Sequence, residues 1–251
     1  MELLPAYGLI GRKLSHSFSK RYFTEKFTRE SIQSAYELFE MDDAGELKNL
    51  LRNNPQLKGL NVTIPFKEDV MLYLHELSEE AEEIGAVNTI KVMDDQHLKG
   101  FNTDAYGFEE SLREFLEGQS IDRALVLGTG GASKAVMYVL EEWEIDYRLV
   151  SRKPVDDNHI SYTDVYDLDL TLIPLIINTT PLGMYPKVHQ FPDIPYEDLG
   201  PDHYVYDLVY NPEKTQFMER AADKGAKTCN GLRMLELQAE RAWEIWQGSE
   251  D

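Results

Sequence analysis

Short apolar runs alternate with amphipathic segments through the first part of the chain. The runs predict strands over residues 7–11, 36–40 and 59–63, and the amphipathic segments predict helices over residues 17–27, 46–52 and 67–74. Strands that alternate with helices are typical of an α/β domain with a largely parallel sheet. Residues 89–93 and 97–101 flank the polar turn Asp94-Asp95-Gln96, and this pattern predicts an antiparallel hairpin at the edge of that sheet.

The alternation continues in the second part of the chain, which is expected to be Rossmann-like. Its predicted helices cover residues 104–116 and 131–142, and its predicted strands cover residues 123–127, 147–150, 175–178 and 204–207. A last helix over residues 231–246 is expected to pack back on the first domain. We therefore predict an α/β protein of two domains, one formed by residues 1–103 with the C-terminal helix 232–251, and one formed by residues 104–231.

Composition limits the class of protein. A chain of 251 residues can form two domains with sizeable cores. No apolar run approaches the ~20 residues of a membrane span, and the first residues lack the basic and apolar regions of a signal peptide. The only cysteine is Cys229, so no internal disulfide can form, which fits a reducing compartment. We expect a cytoplasmic protein that does not bind membranes.

The formal net charge of −20 narrows the choice of partner. Such a field repels nucleic acid and anionic membranes, so we expect a small-molecule substrate and neither of these partners. The same field would repel an anionic substrate. A site for a carboxylate or a phosphate must therefore supply its own hydrogen-bond donors or cations. No metal site is expected, and the oligomeric state, monomer or homodimer, is left open.

A glycine-rich turn lies between the predicted strand 123–127 and the predicted helix 131–142. Glycine at position 128 permits a tight turn, and glycine at position 130 lets the backbone approach a pyrophosphate. The N–H groups at the start of the helix would bind the phosphate oxygens. We predict a dinucleotide-binding turn made by Gly128, Thr129, Gly130, Gly131, Ala132 and Ser133.

The end of the next strand indicates which dinucleotide binds. NAD enzymes usually carry Asp or Glu about 20 residues after the first glycine, where the carboxylate holds the ribose 2′-hydroxyl. Here the segment is Leu149-Val-Ser-Arg-Lys153, with two cations and no carboxylate. Arg152 and Lys153, next to Ser151, would suit a 2′-phosphate, so NADP (NADPH) is the expected cofactor.

Three polar residues of the first domain lie at the ends of predicted elements, where sites collect in α/β sheets. Lys67 and Asp104 each follow a strand, and Asn88 lies between a helix and a strand. A carboxylate can orient a lysine ammonium that passes a proton while hydride moves at the adjacent carbon. Spacing alone does not separate this interpretation from ordinary surface residues.

Six motifs occur in one order along nearly the whole chain: Ser15-His-Ser-Phe-Ser19, Asn61-Val-Thr-Ile-Pro-Phe-Lys67, Gly85-Ala-Val-Asn-Thr89, Asn102-Thr-Asp104, Gly128-Thr-Gly-Gly-Ala-Ser133, and Asn230-Gly-Leu followed by Gln238. In this combination the sequence resembles shikimate dehydrogenase, of the shikimate/quinate dehydrogenase family. The resemblance implies reversible reduction of 3-dehydroshikimate to shikimate with NADPH, in the pathway to chorismate and the aromatic amino acids. It also implies a substrate-binding domain and a Rossmann-like NADP-binding domain with a cleft between them.

The resemblance also assigns roles to individual residues. Lys67 matches the catalytic lysine and Asp104 its partner. The residues that match substrate contacts are Ser17 and Ser19 for the carboxylate, Thr63, Asn88, Asp104 and Gln238 for the ring hydroxyls, and Tyr210 beside the substrate. Beyond the glycine turn and the basic pair, Thr179 and Gly231 match residues near the cofactor.

The sequence departs from the family pattern at three places. Lys13 and Lys20 stand where prolines are usual around the serine motif, and we expect the serines to keep their places. After Lys153 comes Pro154, where the family usually continues into a helix with a further arginine. Proline opposes such a helix, so fewer groups would hold a 2′-phosphate.

Two alternatives stay open. The first is a quinate or dual quinate/shikimate dehydrogenase that uses NAD. A carboxylate at the adenine-ribose position would have supported this alternative, and the sequence has none there. A non-catalytic ligand-binding regulator on the same scaffold would not need Lys67 and Asp104, and both are present.

Overall fold

The computed structural model describes residues 4–14, 17–93, 95–156 and 158–248. The chain forms two compact units: the first contains residues up to Tyr106 and those from Glu236 onward, and the second is Gly107–Leu235. Within the described ranges, no helix has the length and apolar character that crossing a bilayer requires. Three residues of the predicted motifs and turns lie outside the described residues: Ser15, His16 and Asp94.

The first unit is built on one six-stranded sheet. Its strands are β1 (Ala6–Gly11), β2 (Ala35–Glu40), β3 (Leu57–Val62), β4 (Glu76–Leu77), β5 (Thr89–Val92) and β6 (Leu98–Phe101). They lie in the order β2-β1-β3-β5-β6-β4, with β1 parallel to β2 and β3, and β5 antiparallel to β3 and β6. The strand order reverses at β1 and β3. In α/β sheets a ligand crevice opens beyond the carboxyl ends of the strands at such a point.

The second unit is built on a six-stranded, fully parallel sheet. Its strands are β7 (Arg123–Leu127), β8 (Asp146–Val150), β9 (His159–Ile160), β10 (Leu175–Asn178), β11 (Tyr204–Asp207) and β12 (Lys227–Asn230). The order β12-β11-β10-β7-β8-β9, counted from β7, is the 3-2-1-4-5-6 order of a Rossmann fold. The predicted α/β class with a Rossmann-like second domain is confirmed, and the strand order reverses at β7 and β10.

Seven helices of four or more residues in α conformation occur in the described chain. They are α1 (Phe18–Arg29), α2 (Leu47–Asn53), α3 (Glu79–Ile84), α4 (Thr103–Leu116), α5 (Gly131–Glu142), α6 (Gln216–Ala222) and α7 (Leu232–Gln247). In the first unit, Phe23 of α1 and Trp246 of α7 pack with Tyr7 of β1 in one cluster. A Cβ atom at Gly59 would lie 2.2 Å from the Trp246 Nε1, so glycine lets this ring lie directly on β3.

The structure corrects two of the predicted elements. Residues 67–74 were expected to form a helix, but only a short 3₁₀ helix, Asp69–Tyr73, is present. Its amides bond three residues back, from Met71 to Glu68 and from Leu74 to Met71, and such tight turns serve as short connectors. The predicted hairpin of β5 and β6 is confirmed, yet it is not the edge of the sheet, because the two-residue strand β4 pairs outside β6.

Candidate active site

The turn after β3 carries Lys67. The Phe66 amide closes this turn on the Thr63 carbonyl at 3.0 Å, and the Phe66 ring, 2% exposed, anchors it in the core. The Val87 amide donates to the Lys67 carbonyl at 2.7 Å. Packing of one ring and one backbone bond therefore fix where the lysine side chain starts.

Asp104 meets Lys67 from the first turn of α4. The Lys67 Nζ lies 2.5 Å from the Asp104 Oδ2, and the two side chains are only 17% and 12% exposed. Asn102 caps the helix, because its Oδ1 accepts hydrogen bonds from the amides of Asp104 and Ala105 at 3.0 and 3.2 Å. A carboxylate in the first turn is stabilised by the helix dipole. The cap and the dipole thus hold the carboxylate that orients the ammonium.

Asn88 is fixed by a buried network of hydrogen bonds. Its Oδ1 accepts from the Thr103 amide at 2.7 Å, and its Nδ2 donates to the Thr103 Oγ1 at 3.0 Å. The Asn61 Nδ2 donates to the Thr89 Oγ1 at 3.2 Å, and the Asn61 Oδ1 accepts from the Tyr36 hydroxyl at 2.7 Å. All five side chains are buried. Buried polar groups that are all paired make a site rigid.

Ser17 and Ser19 lie at the start of α1, directly after β1. Ser17 is the N-cap, and its Oγ accepts from the Lys20 amide at 3.3 Å. This contact uses a lone pair and not the hydroxyl hydrogen; a proline at position 20 would lack the amide. The Ser19 hydroxyl donates a hydrogen bond to the hydroxyl of Tyr36. Burial raises the pKa of Tyr36 well above its usual value, and the bond from Ser19 opposes this rise only in part. The two serines therefore differ in their surroundings.

Thr63 and Gln238 complete the predicted substrate residues of the first unit. Thr63 begins the turn that carries Lys67, and a Cβ atom at Gly11 would lie 2.6 Å from its Cγ2. Gln238 of α7 is 6% exposed, and its Oε1 lies 3.5 Å from the Thr103 Oγ1. Hydrogen bonds through Thr103 thus link Gln238 to Asn88. Thr103 is the first residue of α4, and Asp104, which pairs with Lys67, is the second.

The glycine turn of the second unit fits a phosphate. Gly128 has a φ of 109°, which glycine adopts without strain. Gly130 is the N-cap of α5, and Cβ atoms at Gly130 and Gly131 would meet no protein atom within 4 Å. The packing of the chain therefore does not demand glycine there and leaves room at the helix N-terminus. The first N–H groups of a helix lack intrahelical acceptors and carry partial positive charge.

A cavity of about 380 Å³ follows this turn and is lined by Thr129, Ser151, Arg152 and Lys153. Both basic side chains are exposed, and the Ser151 Oγ accepts from the Lys153 amide at 3.2 Å. The charge of Arg152 also reaches Tyr162, whose pKa is raised by burial and lowered by that charge. Two cations at one cavity are suited to an anionic group.

The segment after Lys153 does not continue into a helix in the described residues 154–156 and 158. Instead, the Asp156 Oδ1 accepts from the amides of Asn158 and His159 at 2.9 and 3.2 Å and closes a turn before β9. The expectation that Pro154 opposes a helix here is confirmed. No further arginine occurs between Lys153 and β9.

Thr179, Tyr210 and Gly231 lie in the segments that follow β10, β11 and β12. The Thr179 amide and hydroxyl both lie 2.9 Å from the Leu127 carbonyl and donate to it. A Cβ atom at Gly231 would lie 2.2 Å from the Leu208 carbonyl oxygen, so only glycine permits this approach. These residues share the carboxyl edge of the second sheet with the glycine turn.

Comparison with known proteins identifies the family. A family model described as “Shikimate dehydrogenase substrate binding domain” matches residues 9–90. Over 251 residues the sequence is 41% identical to the shikimate dehydrogenase (NADP(+)) of Clostridium beijerinckii, with 96% of this chain and 91% of that protein covered. The protein belongs to the shikimate dehydrogenase family.

Solved structures of this family share the fold. A shikimate 5-dehydrogenase from Thermus thermophilus, in complex with NADP(H) and shikimate, matches with a TM-score of 0.84 at 30% identity, covering 98% of this chain and 94% of that one. A quinate dehydrogenase from Corynebacterium glutamicum, in complex with NAD, matches with a TM-score of 0.88 at 26% identity, covering 98% and 95%. The relatives thus include enzymes named for two substrates.

Sequence reasoning missed several residues that shape these sites. Asn102 belongs to a quoted motif, and the preference for Asn at helix N-caps could have identified its role. Asn61 opens a quoted motif but was given no role, and Tyr36 and Asp207 gave no signal of one, because their partners come from distant segments. Among the residues that the structure describes, no group of three or more His, Cys, Asp or Glu side chains is arranged to hold a metal ion.

Proposed function

We propose that this protein catalyses the reversible, NADP-dependent reduction of 3-dehydroshikimate to shikimate in aromatic amino acid biosynthesis. The observation that carries the proposal is the Lys67–Asp104 pair, with 2.5 Å between Nζ and Oδ2, in a member of the shikimate dehydrogenase family. A regulator could bind its ligand without this ion pair, which is more than four-fifths buried, whereas proton transfer by a lysine is helped by a carboxylate that orients it. The pair therefore favours catalysis over simple binding.

Substrate is proposed to bind mainly to the first unit. Ser17 would donate to its carboxylate at the N-terminus of α1, where the helix dipole also favours an anion, and Ser19 would do the same once its hydroxyl turns from Tyr36 to the substrate. Neutral hydroxyl donors at a helix end answer the repulsion that a net charge of −20 imposes. The residues proposed to contact the ring hydroxyls are Thr63, Asn88, Asp104 and Gln238, and the family resemblance also gives Tyr210 a role beside the substrate.

NADP is proposed to bind to the second unit, where it would supply the hydride donor or acceptor. The glycine turn fits its phosphates because the helix N-terminus is open at Gly130 and Gly131. Arg152 and Lys153, beside Ser151, would hold the 2′-phosphate. Thr179 would lie near the cofactor, and Gly231 near its nicotinamide. The lack of a further arginine before β9 supports a weaker grip on the 2′-phosphate than the family usually has.

Lys67 is the proposed proton donor and acceptor. In reduction its ammonium would give a proton to the oxygen of the carbon that receives hydride, and in oxidation its amine would take that proton back. Asp104 would keep the Nζ directed at the reacting oxygen, since the carboxylate is itself fixed by the Asn102 cap. The chain would thus contribute orientation and a proton, and the cofactor the hydride.

A substrate and cofactor matrix tests this proposal. Absorbance of the reduced nicotinamide is recorded with shikimate or quinate, each with NADP or NAD. Fastest turnover with shikimate and NADP supports the proposal. Fastest turnover with quinate and NAD would replace it with quinate dehydrogenase. Binding of shikimate without turnover in any combination would favour the regulator.

A cytoplasmic location, supported by the single cysteine, and a monomeric or homodimeric state stay predictions.

A further inference from the structure

Asp207 is a fully buried carboxylate at the end of β11, outside the residues assigned to substrate or cofactor. Its exposure is 0%, and its neighbours across the sheet are Asn178 on β10 and Asn230 on β12. Burial of a carboxylate costs free energy unless hydrogen bonds compensate. The hydrogen bonds that compensate for the burial of Asp207 therefore indicate its role in the structure.

Three donors from separate segments converge on the Asp207 carboxylate. The Asn178 Nδ2 and the Val209 amide donate to Oδ1 at 2.9 and 3.0 Å, and the Thr215 Oγ1 donates to Oδ2 at 2.6 Å. Asn178 is 29 residues from Asp207, and Thr215, the N-cap of α6, is eight residues away. One side chain thus joins the end of β10, the segment after β11 and the start of a helix.

The first of these contacts holds the loop that carries Thr179. The Asn178 Oδ1 accepts from the amide and the hydroxyl of Thr180 at 3.0 and 2.6 Å. Gly183, at the other end of this loop, has a φ of 93°, and a Cβ atom there would lie 3.3 Å from the Thr215 Cβ. One end of residues 178–183 is therefore bonded to Asp207, and the other end lies next to Thr215, which is also bonded to Asp207.

The second contact holds the segment that carries Tyr210 and supports Gly231. The Val209 amide bonds the Asp207 Oδ1, and the Val209 carbonyl accepts from the Gly231 amide at 3.3 Å. The backbone of Leu208 lies directly against Gly231. Displacement of residues 208–210 would therefore displace Gly231 as well.

We propose that Asp207 is a positioning residue for the nicotinamide side of the cofactor site, because its oxygens hold in one arrangement the segments that carry Thr179, Tyr210 and Gly231. The inference rests on the proposed function, which assigns those three residues to cofactor and substrate. Asp207 acts as an acceptor and not through its charge. An asparagine would offer its carbonyl to Asn178 and Val209, and its amide to the Thr215 Oγ1, which can accept.

The kinetic test compares three variants of the full chain. Asp207→Ala leaves three donors without an acceptor and is expected to raise KM for NADP about 10- to 100-fold, with a smaller change in kcat. Asp207→Asn is expected to return KM to within about threefold of wild type. The matched control is Tyr206→Phe on the same strand, which removes the 2.6 Å hydrogen bond to the Ser111 hydroxyl, and it is expected to lower stability but leave KM unchanged.

Amide hydrogen exchange gives a readout that needs no activity. In Asp207→Ala without cofactor, exchange of the Thr180 and Val209 amides is expected to rise about tenfold or more. The Val209 amide loses its acceptor, and the Asn178 side chain, which accepts from the Thr180 amide, loses the bond that fixes it. Tyr206→Phe should leave the exchange of these two amides unchanged. If Asp207→Ala does not fold, Thr215→Val removes one donor and should produce a smaller effect in the same direction.

Two results would overturn the proposal. One is a folded Asp207→Ala or Thr215→Val with wild-type exchange at Thr180 and Val209 and a wild-type KM. The other is an Asp207→Asn variant as impaired as Asp207→Ala, which would mean that the charge is needed. If the wild-type protein fails to turn over shikimate with NADP, the proposed function fails, while the exchange comparison still decides whether Asp207 holds the loops.

Discussion

The Lys67 Nζ lies 2.5 Å from the Asp104 Oδ2, although 37 residues separate them in the sequence. Lys67 follows β3 and Asp104 opens the helix after β6, with β5 between these strands in the sheet. The pair therefore exists only when the hairpin of β5 and β6 is correctly paired with β3. The strand order of the first unit therefore places the two side chains of the candidate proton-transfer pair together.

Ser17→Ala is expected to raise KM for shikimate about 10- to 100-fold and to leave kcat nearly unchanged. A hydroxyl that binds a carboxylate contributes a charge-assisted hydrogen bond of roughly 1.5–3 kcal/mol, and this bond changes little as hydride moves. Steady-state kinetics with varied shikimate measures both constants. A wild-type KM with a collapsed kcat would contradict the binding role.

Ser78→Ala is the matched control for this variant. Ser78 is the N-cap of α3 and accepts from the Ala81 amide at 3.2 Å, as Ser17 does for α1. Both substitutions remove a helix cap, which costs about 1 kcal/mol of stability. Ser78→Ala should therefore lower Tm by a similar amount and leave KM unchanged.

Arg152→Ala is expected to lower kcat/KM with NADP by about 10- to 100-fold and with NAD much less. The reason is that a guanidinium–phosphate bond, worth roughly 1.5–3 kcal/mol, is lost only when a 2′-phosphate is present. Kinetics with each cofactor at saturating shikimate measures the ratio. Arg148→Ala, an exposed arginine on β8, is the control and should change neither value. Equal losses with both cofactors would mean that Arg152 does not select NADP.

The stability of the protein should depend on the ionisation of Asp207. Burial raises its pKa from 3.8 to about 6, although bonds from Thr215, Val209 and Asn178 oppose the change. The pKa of the half-buried Cys229 thiol is raised by desolvation and, to a smaller extent, by the charge of Asp207. The same charge acts on Tyr196, which also faces Arg220. The folded state therefore binds this proton more tightly than the unfolded chain, and the contribution of Asp207 to stability is full below pH 4 and lost as pH rises through 6.

Asp207→Asn should remove this dependence. At roughly 1.4 kcal/mol per pKa unit, the difference in unfolding free energy between the variant and wild type is expected to move by about 3 kcal/mol in favour of the variant between about pH 4 and pH 7. Urea unfolding at several pH values measures it. Asp164→Asn is the control with the opposite sign, because bonds from Ser161 lower the pKa of Asp164. A pH-independent difference for Asp207→Asn would contradict the account.

Elements with strong local signals were predictable from the sequence. The helix over residues 131–142 and the strands at 175–178 and 204–207 coincide with α5, β10 and β11, because glycine or polar residues bound clear apolar patterns. β12 was missed, since Lys227-Thr-Cys-Asn230 has no apolar alternation and becomes a strand only through its pairing with β11. The expected helix over residues 67–74 was wrong, because Leu72 is 84% exposed and the apolar face is not continuous.

The residues of the candidate sites also differ in how far the sequence could predict them. The lysine turn, the glycine turn and the basic pair were evident from local sequence, and the family resemblance supplied the serines, Thr179, Tyr210 and Gly231. The supporting residues were not evident: Tyr36 bonds Asn61 across 25 residues, and Asn178 bonds Asp207 across 29. Such partners depend on strand order, which single-chain patterns do not encode.

The measurement that tests the central claim most directly is the kcat of Lys67→Ala with shikimate and NADP, taken together with the Kd for shikimate from calorimetry. Loss of the proton donor and acceptor should lower kcat by about 10²- to 10⁴-fold, while the Kd changes only a few-fold. Lys48→Ala, an exposed lysine on α2, is the control and should match wild type in both values. A kcat for Lys67→Ala within a few-fold of wild type would contradict the assignment of Lys67 and the mechanism built on its pair with Asp104.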